Sequence, residues 1–443
     1  MGKGKTRLKR SLNAGFAGLT IKVVSAFCVL PTLLFAADWP QWRGPHRNGL
    51  SAETGLLKEW PKDGPKLAWK ISDIGLGYSA PSVVRDRIYL LSNEGMENES
   101  VMALDNTDGK KIWNVRIGNV GNPKQQPSYP AARSTPIIDA DLLYALGSDG
   151  DLVCLETATG KTRWHKNLRA DFGGEPGVWA YAESPLIDGD VLVCTPGGSN
   201  ATLVALNKKS GELVWKSAVP GGDQAAYASV VITEIGGRKQ YIQFLQKGLV
   251  GVDAKTGAFL WRYEKSAKGS PANIPTPIAQ DSYIYSASAR GGAGLIKLKN
   301  DETKSRPDHP EAAWEPEQIY FTPKLPTSIG GAVKVGKNLY GTTGQALVCA
   351  DFVSGEVKWE ERSIAPASVC YADGCLYLHG ENGDLALVEA TPEAYREKGH
   401  FTPGDQPNRG QSKAWAYPAI ANGRFYIRDA NVLWCYEIRR RQE

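Results

Sequence analysis

One short pattern recurs five times with constant internal spacing: an acid or asparagine, three residues, glycine, three residues, tryptophan. It reads Asp105–Gly109–Trp113, Glu156–Gly160–Trp164, Asn207–Gly211–Trp215, Asp253–Gly257–Trp261 and Asp351–Gly355–Trp359. Five copies of a three-point spacing make an internal repeat, whose units bury their apolar faces against one another.

Each part of the pattern has a physical task. A short apolar strand such as Val101–Leu104 or Leu203–Leu206 precedes it. The acid or amide accepts backbone N–H groups of the next turn. The glycine supplies the positive φ of a tight hairpin. The indole then leaves the returning strand on a fixed face, because strand side chains alternate. A large flat ring at one fixed offset is a docking element between adjacent units.

An upstream half completes each unit: small residues, a strand, a turn, and a second strand ending in an aromatic. Ser79-Ala80-Pro81 to Ile88-Tyr89 and Ser134-Thr135-Pro136 to Leu143-Tyr144 are examples. Such halves begin near residues 78, 132, 182, 227, 274, 329, 366 and 417. Four strands per unit and eight units predict an all-β fold, an eight-bladed β-propeller of four-stranded antiparallel blades. The docking positions are assigned to Trp69, Trp113, Trp164, Trp215, Trp261, Trp314 and Trp359, with Tyr395 standing in for blade seven. Blade eight ends one strand short at Val432–Tyr436, while Leu67–Ile71 is a fourth strand without a blade. Pairing the two predicts a ring closed by an N-terminal strand, which removes exposed edges. The predicted division is a signal segment over 1–37, an extended segment over 38–66 and the propeller over 67–440.

The signal expectation rests on Lys3, Lys5, Arg7, Lys9 and Arg10, then an apolar run over 23–35, then Ala36 and Ala37. That run is too short to span a bilayer comfortably and fits an exported, periplasmic or secreted chain. Without residues 1–37 the chain has 46 bases against 47 acids, so no phosphate-binding surface and no nucleic-acid partner is expected. The cysteines outside that segment are not densely spaced; they read as buried thiols, with a Cys370–Cys375 bridge across the hairpin tip as the alternative.

With the repeat in view, Ala103-Leu104-Asp105 through Trp113 resembles the tryptophan-docking repeat of the quinoprotein-like (PQQ-like) β-propeller family. Trp39-Pro40-Gln41-Trp42-Arg43-Gly44-Pro45 resembles the start of exported bacterial members. The resemblance implies two functional alternatives. Quinoprotein alcohol dehydrogenases hold pyrroloquinoline quinone beside calcium in the central funnel. The outer-membrane protein assembly factor of the same fold is a scaffold that binds no cofactor. No two cysteines are neighbours and Cys-x-x-Cys-His is absent, which departs from the dehydrogenase pattern. Nucleophile-elbow, zinc-helix and phosphate-loop motifs are absent too. The expectation is therefore a monomeric, non-catalytic module that binds a protein or envelope polymer without a metal or cofactor. The alternative is a quinone- and calcium-dependent oxidoreductase.

Propeller ligands enter where the innermost strands begin. Residues just ahead of those strands give the candidate ring: Tyr78, Arg133, Trp179, Tyr181, Glu183, Tyr227, Asn273, Ser328, Trp415 and Tyr417. Aromatic faces with one Arg, one Glu and one Asn suit a planar or sugar-like ligand, and Arg133 and Glu183 are alternatively an ion pair.

Overall fold

Eight four-stranded antiparallel sheets follow one another along the chain in the computed structural model. It describes residues 37–440 apart from 125, 305, 307, 308 and 365; the signal expectation lies almost wholly outside them. Blade one comprises Ser82–Val84, Arg87–Glu94, Asn98–Asp105 and Lys111–Gly118. Blade eight has three strands of its own, Ala419–Ala421, Arg424–Asp429 and Val432–Glu437. Lys66–Ile71 completes it, with Trp69 opposite Cys435. The ring is closed by this N-terminal strand.

The repeat chemistry explains how blades touch. Asp105 Oδ1 accepts the Thr107 amide at 2.6 Å, and Asn207 and Asp351 cap their turns in the same way. Gly109 has φ +75° and Gly257 +72°, which only glycine adopts without strain. A Cβ at Gly257 would also lie 2.5 Å from the Trp215 ring. Gly109, Gly160, Gly211 and Gly257 thus open seats for the indoles of Trp69, Trp113, Trp164 and Trp215. The indole N–H then donates across the seam: Trp69 to Asn106 O, Trp113 to Thr157 O, Trp164 to Lys208 O and Trp215 to Ala254 O, at 2.9–3.3 Å.

Two docking assignments are corrected. In blade five the position opposite Leu295 is held by Tyr320, not Trp314. Tyr320 Oη donates to Phe352 O at 3.0 Å, and its ring covers Gly355. Trp314 begins the outer strand after the insertion and packs with Leu260 and Trp261. In blade seven Tyr395 lies edge-on to Trp359 instead, and the position opposite Leu387 is Gly399. The vacant seat is filled from the N-terminal segment. Trp60 is 5 % exposed, its amide donates to Lys398 O, and a Cβ on Gly399 would lie 2.5 Å from the Trp60 Cβ. Its ring is 5.8 Å from Tyr377, repeating the Tyr–Trp pairs of other blades, such as Tyr89–Trp113 at 5.9 Å.

The rest of that segment fills the axis. Trp39 pairs with Val83 of blade one, and Pro40 O accepts the Ile138 amide of blade two. Arg47 donates to Ser184 O and Pro185 O ahead of blade three. Trp42 reaches Thr276, Arg43 reaches Ala332 O, and Ser51 reaches Ile420 O. Leu50–Ser51 adds a short parallel strand to the inner edge of blade seven. Residues 39–51 therefore bond to seven of the eight blades and plug the channel.

The described cysteines outside the signal segment are buried and free, so the Cys370–Cys375 bridge does not form. Register is the reason: Cys370 lies opposite Tyr377, and Cys375 opposite Ala372.

Candidate functional site

A cavity of about 280 Å³ opens at the axial mouth above the plug. Its floor includes Trp42 from the N-terminal segment, and its wall includes Tyr78, Tyr129, Arg133, Trp179, Ala182, Tyr227, Ala272, Ile274, Ile329, Trp415 and Tyr417. Most of these residues sit just ahead of an innermost strand, so the ring of blades carries them to one point.

Of the residues singled out in the sequence, Tyr78, Arg133, Trp179, Tyr227, Trp415 and Tyr417 line this cavity. Tyr181, Glu183, Asn273 and Ser328 do not. Tyr181 is 1 % exposed and donates to Pro196 O at 2.8 Å. Asn273 is fully buried and ties its amide to Leu245 O and Gln246 O. Ser328 is buried in the turn bonded to Thr342 O. Glu183 does not pair with Arg133; it accepts the Thr195 amide at 2.8 Å and Gln243 Nε2 at 3.3 Å. These residues precede the strand Leu186–Asp188: Ala182 lines the cavity, while its neighbours Tyr181 and Glu183 are buried behind it. Trp42 and Tyr129 escaped the sequence reading because neither immediately precedes an inner strand. Their signal was an aromatic residue in a Pro-rich segment.

The polar ends of the rings are turned into the protein. Trp42 Nε1 donates to Thr276 Oγ1, Trp179 Nε1 to Pro127 O and Trp415 Nε1 to Glu381 Oε1, at 2.8–3.1 Å. The Tyr78 hydroxyl bonds Ser412 at 2.9 Å, that of Tyr227 accepts the Trp179 amide, and that of Tyr417 donates to Ile329 O. What is left to the cavity is ring surface, the Tyr129 phenol and the Arg133 guanidinium, which donates one N–H to Tyr129 O. Burial pushes the Tyr227 and Tyr417 phenols up to about 12. Burial also lowers Arg133 from its ordinary value, while Tyr78, Tyr227 and Glu99 act to raise it; an arginine still keeps its proton at neutral pH.

Two buried carboxyls lie behind the wall. Burial pushes Glu99 up to about 7, against hydrogen bonds from Ser148, and Glu183 up to about 8, against bonds from Thr195. Each folded-state pKa is raised, so the folded protein holds these protons more tightly than the unfolded chain. Their stabilising contribution is complete below about pH 4.5 and is lost as pH rises through 7 to 8, on the order of a few kcal/mol. Melting temperature measured from pH 5 to 8.5 is expected to fall more steeply for wild type than for Glu183→Gln. Parallel curves would refute this.

The residues do not fit calcium-bound quinone. Calcium takes six to eight oxygen ligands, and no carboxylate lines the cavity. Among the described residues no group of three or more His, Cys, Asp and Glu is placed to hold a metal.

Comparison with known proteins places this architecture. A family model described as "Outer membrane protein assembly factor BamB" matches residues 50–178 and 97–361. The protein of that name from Burkholderia pseudomallei is 24% identical over 320 residues, 63% of this chain and 79% of its own. Methanol dehydrogenase subunit 1 of Paracoccus denitrificans is 28% identical over 245 residues, 50% of this chain but 36% of its own length. Among solved structures, BamB from Moraxella catarrhalis superposes with TM-score 0.57 at 16% identity, covering 84% of this chain and 98% of that one. A europium-containing methanol dehydrogenase gives 0.59 at 12%, covering 88% and 89%. These structures share the fold alone, whereas the family match spans most of the sequence: the chain belongs to the family of PQQ-like propellers described as outer membrane protein assembly factor BamB.

Proposed function

We propose that this protein is an exported, non-catalytic binding module of the cell envelope, which takes a protein or envelope polymer at its axial mouth. The observation that carries the reading is the chemistry of the cavity wall: aromatic faces around one guanidinium, with no carboxylate or thiol among the lining residues. Such a wall binds by stacking and charge; it offers no general base. Family membership and the similarity to assembly factors support the same reading. The basic, then apolar start of the chain supports export, and among the described residues no helix is long and apolar enough to cross a membrane.

The test has two arms. Envelope extract is passed over immobilised wild type and Trp415→Ala; a component retained by wild type and lost from the variant is expected, and identical retention would overturn the reading. Purified protein is also mixed with pyrroloquinoline quinone and Ca²⁺. Neither quinone absorbance after gel filtration nor dye-linked alcohol oxidation is expected, and turnover would establish an oxidoreductase instead.

A further inference from the structure

We propose that the axial cavity takes a compact apolar group bearing a single carboxylate, gripped by the guanidinium of Arg133. The inference rests on the reading of the mouth as the binding site. Three observations narrow the ligand.

The ring N–H and O–H groups of Trp42, Tyr78, Trp179, Trp415 and Tyr417 are committed to protein partners, which leaves the phenols of Tyr129 and Tyr227 and the Arg133 guanidinium as the side-chain donors the wall can offer, few for a sugar's hydroxyls. A ligand burying several hydroxyls there would leave most of them unpaired, which disfavours its binding. The rings are also not parallel. Trp42 and Tyr417 meet at 63°, Tyr78 and Trp415 at 49°, and Tyr129 and Trp415 at 83°. They form a bowl instead of a slot, which suits one compact ring or a branched aliphatic group over an extended flat system.

Finally, Arg133 supplies a cation that the cavity does not neutralise. One of its five N–H groups is spent on Tyr129 O. The acid that acts on it, Glu99, is bonded by Ser148 through Oε2 alone, and among the described residues it forms no ion pair with the guanidinium. A planar fork in an apolar bowl binds carboxylate in two-point fashion and more strongly than in water. At about 280 Å³ the cavity is at the small end for ligand sites.

That chemistry belongs equally to a small free acid and to the last residue of a polypeptide. Calorimetric titration separates them. The probes are phenylpropionate and its uncharged amide, and a hexapeptide ending in phenylalanine with a free or an amidated terminus. Free acids are expected to bind at least about tenfold more tightly than amides, and Arg133→Gln should erase that preference while Arg133→Lys retains part of it. Binding of phenylpropionate alone assigns a small acid; binding of both free acids assigns a chain terminus. Equal affinity for acid and amide, tighter binding of glucuronate, or no binding of either acid overturns the proposal. If neither acid binds but Trp415→Ala still strips envelope retention, the ligand class is wrong and the mouth remains the site; if both fail, so does the mouth.

Discussion

Replacing Trp60 with alanine is expected to lower the free energy of unfolding by about 3–5 kcal/mol, the usual range for emptying a large aromatic site in a core. The ring is 5 % exposed and lies 5.6–5.8 Å from Tyr377, Phe401 and Phe425. Gly399 leaves the seat open and nothing in blade seven itself can fill it. The indole N–H finds no acceptor among the described residues. Trp60→Phe should therefore lose little beyond packing. Trp113→Phe, which gives up the 3.0 Å bond to Thr157 O, should lose about 1 kcal/mol more. Urea midpoints of the three variants check the order. A Trp60→Ala midpoint equal to wild type would mean that the N-terminal segment does not seat in blade seven.

Arg428→Ala should have an effect of similar size, about 3–5 kcal/mol, by a different route. Arg428 is fully buried where blade eight meets blade one. It donates to Ala430 O and Gly75 O at 3.0 Å, to Ser79 O at 3.3 Å and to Leu91 O. Removing it strands four carbonyls in a space that water does not freely reach. Burial lowers its pKa to about 9, so the guanidinium bears a desolvation penalty that these carbonyls offset. Lysine, a point cation without the fork, should recover little of the loss. Hydrogen exchange followed by mass spectrometry is expected to show strands 87–94 and 424–429 opening before the other blades. Uniform exchange across all eight would contradict a local weakness at that seam.

The constant offset from Gly109, Gly160 and Gly211 to the following indole made the blade and its number readable, because one periodic signal carried turn, strand and ring together. The closure of the ring was readable as an orphan strand and a matching shortfall. Trp60 and Tyr320 were not, because each serves the common position without the common spacing. Tyr320 follows an insertion, and Trp60 arrives from a part of the chain outside the repeat altogether. At the mouth, position ahead of an inner strand located Tyr78, Arg133, Tyr227, Trp415 and Tyr417, but could not tell which neighbour turns inward. Glu183 beside Ala182 is the instructive case. The polar residue invited selection, while the backbone ahead of the strand Leu186–Asp188 turns it into the wall, onto Thr195 and Gln243.

The plug at the axis also sets an order of events. Trp42 bonds a partner 234 residues away, Arg43 one 289 away and Ser51 one 369 away. These early residues must therefore wait for segments as far along as Thr276, Ala332 and Ile420 before they find their places. Closing loops of that length slows folding. Nascent blades would meanwhile stand as an open arc with their apolar seams uncovered, which makes this interval the one in which the protein most needs protection from aggregation.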